Sequence, residues 1–164
     1  TQSTFLPIIT REQTMVKSNY FLFSGGIISA LISIFHIILV MKPELYQYIA
    51  PDQNSTLSQM AEEGSSMTII ASLALVAIFA IWALYAFSGT GHIRRLPLLH
   101  TGLITIAVIY LLRGLFLPSE ISLVQKQAYP IRFVLFSALS LFIGLLYLVG
   151  FLNRKRLLAI HHDS

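Results

Sequence analysis

The chain contains no cysteine, which removes disulfides, thiolate metal sites, CxxC redox pairs and cysteine nucleophiles together. Charge is scarce as well. Asp, Glu, Lys and Arg make up 11% of the 164 residues, where a soluble chain carries roughly 25%. A sequence so poor in charge cannot clothe an ordinary water-soluble domain. It also has no glycine-rich phosphate loop after a strand, no His-Glu-x-x-His helix and no paired carboxylates inside an apolar run, so the usual catalytic signatures are missing.

What is present is largely hydrocarbon: 55% of the residues are hydrophobic and the mean hydropathy is +0.75. Four apolar runs, at about 20–41, 67–88, 98–117 and 131–152, each approach the ~20 residues a helix needs to cross the hydrocarbon core. They are continuously apolar, whereas a membrane barrel reads as ~10-residue segments of alternating polarity. The expected fold is therefore all-α, a four-helix transmembrane bundle forming a single membrane domain, with a short basic tail at 153–164. Pro97 and Pro130 fit the first turns of helices, where a missing N–H costs nothing, and Pro43 and Pro118 fit positions just past helix ends. The first run exceeds the roughly 7–15 residues of a signal-peptide core and no A-x-A site follows it, so it reads as a retained anchor. Residues 1–14 fit an amphipathic lead-in, a processed end or an added segment.

With simple alternation of the spans, Arg11, Lys17, Arg94, Arg95, Arg154, Lys155 and Arg156 fall on one side of the membrane and Lys42, Arg113, Lys126 and Arg132 on the other. Segments rich in Lys and Arg stay in the cytoplasm, which puts both termini there. This orientation also accounts for the net charge of +4. The basic residues form no stripe suited to nucleic acid. The connection from Lys42 to Ser66 carries a weak capping box, Thr56 with Gln59, opening a short interfacial helix through Glu63. Its Asn54-Ser55-Thr56 matches a glycosylation pattern by little more than chance.

Helices in lipid associate through small residues that let backbones approach. Gly25, Ser29 and Ser33 recur every four residues in the first run, and Ser137, Ser140 and Gly144 line one side of the fourth. The alanines at 71, 74, 77, 80, 83 and 86 trace an inclined ridge on the second. Trp82, Tyr85, Phe87, Tyr147 and Phe151 read as aromatic belts at the membrane interface.

Ionisable groups inside a span are costly and become site hypotheses by default, which singles out His36 and Arg113. Both lie about 6 to 8 Å below the same end of the bundle at ~1.5 Å rise per residue, so they can face one another. Arg132, Glu62 and Glu63 can complete a polar cluster there, either holding an anionic or lipid head group or satisfying Arg113 internally. The other reading is structural: Arg113 reaches for the interface and His36 bonds a neighbouring helix. A haem between His36 and His100 is disfavoured because the two lie toward opposite ends of the spans. The sequence calls for no metal and no other cofactor.

The stretches Met60-Ala61-Glu62-Glu63-Gly64-Ser65, Tyr85-Ala86-Phe87-Ser88-Gly89 leading to Ile93-Arg94-Arg95-Leu96-Pro97-Leu98-Leu99, and Tyr110-Leu111-Leu112-Arg113-Gly114 resemble a group of small, uncharacterised four-span bacterial inner-membrane proteins. The resemblance covers the region from the first span to the third. It implies a bacterial inner membrane but no activity, and it assigns no functional residue.

Function is then expected to be that of a non-enzymatic accessory or scaffold component, packed against a larger membrane protein or further copies of itself. The alternative is a binder or carrier of a lipid or small amphiphilic anion near Arg113. A membrane-embedded enzyme is the third reading, and it lacks a nucleophile or carboxylate pair within the spans.

Overall fold

The computed structural model describes residues 19–49, 59–60, 63–126 and 130–160. Four helices in it are long and apolar enough to cross a membrane, and no strand occurs among the described residues. Helix α1 spans Tyr20–Met41. It stops where Lys42 N–H closes on the Ile38 carbonyl and Pro43, lacking an N–H, opens a 3-10 turn over Pro43–Leu45. A single turn α2, Tyr46–Ile49, follows. Helix α3, Ser66–Thr90, ends at Gly91, whose φ of 83° is the left-handed conformation glycine adopts most cheaply. There His92 N–H bonds the Phe87 carbonyl at 3.1 Å. The loop beyond is stapled by Ser88, which donates to the Arg94 carbonyl and accepts from Leu96 N–H.

Helices α4, Leu99–Gly114, and α5, Leu117–Gln125, together form the third apolar segment, Leu99–Gln125. This corrects the expected role of Pro118: it does not close the segment but sits in the first turn of α5, where its missing N–H is tolerated. Helix α6 spans Arg132–Ile160. Pro97 and Pro130 precede α4 and α6 and lie outside their first turns.

Helices α1 and α3 form one antiparallel pair and α4 and α6 a second; the pairs meet mainly along α1 and α6. Only 17–28% of each spanning stretch is buried within the bundle, so most apolar side chains face outward, as lipid requires and water would forbid. The shared core includes Leu22, Leu103, Ile106, Ile143 and Tyr147. Below, the end bearing Asn19, Thr90 and Arg154 is called proximal, and the end bearing Met41, Arg113 and Arg132 distal.

Candidate functional site, a lateral cavity between α1 and α6

At the proximal end α1 and α6 are in tight contact. Asn19 Nδ2 donates to the Gly150 carbonyl at 2.9 Å. A Cβ on Gly25 would stand 2.9 Å from the Tyr147 ring, and one on Gly150 would stand 2.6 Å from Leu22. These glycines are what permit the approach.

Halfway along, one serine joins all four spans. Ser29 Oγ of α1 lies 3.2 Å from Tyr110 Oη of α4 and 3.0 Å from Tyr147 Oη of α6, and Tyr147 donates to the Trp82 carbonyl of α3 at 3.0 Å. Each hydroxyl has one hydrogen, so counting donors orders the chain. Tyr147 gives its proton to Trp82, Ser29 gives its proton to Tyr147, and Tyr110 gives its proton to Ser29. Tyr147 is fully buried and Trp82 packs edge-on against Tyr110 at 4.8 Å. These two aromatics belong to the core and not to an interfacial belt, because the hydrogen-bonded hydroxyl and the ring edge both find partners inside.

Toward the distal end the two helices part, each following its own partner. Ser33 Oγ on α1 donates to the Val76 carbonyl of α3 at 2.9 Å, and beyond α1 the Tyr46 hydroxyl bonds Ser72 of α3. On α6, Gly144 lies against Leu111 of α4, and Leu141 packs on Gly114. Arg113 Nη1 donates to Ser137 Oγ. The divergence leaves a cavity of about 610 Å³ between the distal halves of α1 and α6, within the ~300–1,000 Å³ range of small-molecule pockets. Leu31, Phe35, Phe136 and Leu139 line it and are exposed, so its mouth opens sideways along the helix flanks.

His36 and Arg113 both line this cavity, as does Ser140. His36 Nδ1 lies 2.8 Å from the Ile32 carbonyl, which can only accept, so Nδ1 carries a proton, and in the neutral tautomer that makes this bond the lone pair is on Nε2. Ser140 Oγ donates to Phe136 O one turn back on its own helix. The carboxylate partner of Arg113 is Glu120, with Nη1 to Oε1 at 3.0 Å. Glu120 is 8% exposed and stands in the first turn of α5, where the helix dipole favours a negative charge.

Of the other residues expected in this cluster, Glu63 is an exposed turn residue before α3, and Glu62 falls outside the described residues, as do Asn54-Ser55-Thr56. Arg132 is half-buried at the start of α6 and does not line the cavity. Sequence reasoning missed Glu120 because it ended the third span at Leu117. The available signal was its spacing of seven residues from Arg113, two helical turns along. His100 is exposed at the opposite end of the bundle, edge-on to Phe151 at 6.0 Å. No group of three or more His, Cys, Asp or Glu side chains converges among the described residues.

Comparison with protein families, with curated proteins and with solved structures finds no match.

Proposed function

We propose that this membrane protein binds an amphiphile that enters sideways from the bilayer into the cavity between α1 and α6. The observation that carries this reading is the cavity itself, about 610 Å³ with mostly apolar walls and a few polar side chains, His36 and Arg113 with the hydroxyls of Tyr110 and Ser140. Convergent polar groups in an otherwise apolar pocket are the usual form of a small-molecule site. The basic residues Arg94, Arg95 and Arg154 support a cytoplasmic proximal end, with the cavity in the outer half of the membrane. The sequence resemblance supports a bacterial inner membrane. Among the described residues, no feature of comparable specificity favours an accessory or scaffold role.

The test is purification in a mild detergent followed by mass spectrometry of retained small molecules, for the wild type and for Ser140→Phe, which fills the cavity from a half-buried position. The wild type is expected to retain one amphiphile near stoichiometric occupancy and Ser140→Phe to lose most of it. Equal retention in both, or none in either, overturns the reading and leaves the accessory role in its place.

A further inference from the structure

The cavity has a charge balance and a donor–acceptor pattern that select among amphiphiles. Arg113 is the one Lys or Arg among the described residues that line it, and that charge is already matched by buried Glu120 at 3.0 Å. A phosphate or carboxylate head would bring a second negative charge next to Glu120 in a poorly screened environment, where like charges repel strongly. An uncharged head meets no such penalty.

Nη1 of Arg113 serves Glu120 and Ser137, while the hydrogens on Nε and Nη2 complete the five N–H donors of the guanidinium. His36, with its Nδ1 proton committed to Ile32, supplies an acceptor at Nε2. Tyr110 also lines the cavity, but its proton is directed away, toward Ser29. Around these groups the walls are aromatic: the His36 ring lies 5.3 Å from Phe79 and 5.9 Å from Phe35, with Phe133 and Phe136 on the facing helix. Flat π surfaces favour a flat ring over a tetrahedral head group.

We infer that the occupant is an uncharged amphiphile with a flat, oxygen-bearing ring, the quinone and quinol class. A ring carbonyl accepts from Arg113, a quinol hydroxyl donates to His36 Nε2, and the tail leaves through the mouth into lipid. This rests on the amphiphile-binding reading above and adds the head-group chemistry.

Trp82 provides the readout. It is the only tryptophan in the chain, and its ring lies 4.8 Å from Tyr110 in the cavity wall. A short-chain benzoquinone titrated into the protein in detergent should quench Trp82 emission saturably. His36→Leu and Arg113→Gln should each raise the apparent Kd by about tenfold or more, the scale expected for losing a hydrogen bond to a polar or charged partner. His36→Leu should also weaken the reduced quinol more than the oxidised quinone. Because Arg113→Gln disturbs the Glu120 pair, His36→Leu, whose native bond is confined to its own helix, keeps the test decisive if the arginine variant fails to fold. Linear quenching that is identical in wild type and His36→Leu overturns the quinone assignment. If the wild type still retains a phospholipid such as phosphatidylglycerol and Ser140→Phe does not, amphiphile binding stands while the head-group inference falls. If nothing is retained, both fall.

Discussion

Ser29 and Tyr147 are separated by 118 positions in the chain and meet at 3.0 Å in the middle of the bundle. Through that bond, and through Tyr110 and the Trp82 carbonyl, all four spans share one polar junction. The hydrophobic effect does not hold helices together in lipid, so such junctions and close packing carry the association.

Replacing Ser29 by alanine should therefore lower unfolding stability in detergent by about 1–2 kcal/mol, the upper range for interhelical hydrogen bonds in membranes. Tyr110→Phe should cost much less in a Ser29→Ala background than in the wild type, because its acceptor is already gone. Strictly additive losses in that double-mutant cycle would show that the junction is geometric coincidence.

The Arg113–Glu120 pair gives a second expectation. Glu120→Gln leaves a guanidinium without its countercharge, and since the Arg113 side chain is 37% exposed the cost should be about 1–3 kcal/mol, less than for a fully buried pair. The double variant Arg113→Met with Glu120→Leu should be more stable than either single change, because apolar replacement removes both desolvation costs. Thermal melts of the three variants decide the matter; a double variant less stable than both singles rules out this account.

Gly144 and Leu145 are sequence neighbours with opposite surroundings. A Cβ on Gly144 would sit 2.9 Å from the Leu111 side chain and 3.0 Å from its backbone nitrogen, whereas Leu145 is 46% exposed. Gly144→Leu should lower stability by about 3 kcal/mol or more through overpacking, and Leu145→Ala should change it by about 0.5 kcal/mol or less, since lipid replaces what the leucine covered. Similar melting temperatures for the two variants would contradict the placement of this face.

Orientation is open to direct measurement with reporter fusions. Fusions after Ser164 and at Thr90 should read cytoplasmic and one at Gln53 external, following the excess of Arg94, Arg95, Arg154, Lys155 and Arg156 on one side. A cytoplasmic signal at Gln53 would invert or break the arrangement.

The helices were legible in the sequence because each is a long apolar run, and in lipid that alone dictates a helix. The depth of His36 and Arg113 was legible for the same reason, since rise per residue is fixed, and both do line one cavity. The pairing of Arg113 was not. Pro118 reads as a stop in one dimension, and only the fold shows the regular helix interrupted by a turn at Leu115 and Phe116 and resuming with Glu120 inside. Nor could the inward turn of Trp82 and Tyr147 be read. Amphipathic aromatics near a span end suit an interface equally well until a partner such as Ser29 is placed opposite them.

The sideways mouth at Leu31, Phe35, Phe136 and Leu139 changes the reckoning of affinity for anything that enters there. A guest arriving from the bilayer exchanges one hydrocarbon surrounding for another and gains no hydrophobic free energy by doing so, as holds for helices meeting in lipid. Its rivals are the acyl chains of the membrane, present in vast excess. Occupancy then follows the guest's mole fraction among lipids and not its concentration in water, so enlarging the lipid pool at constant guest empties the cavity. Discrimination falls to the two side chains that bulk lipid does not offer, His36 and Arg113.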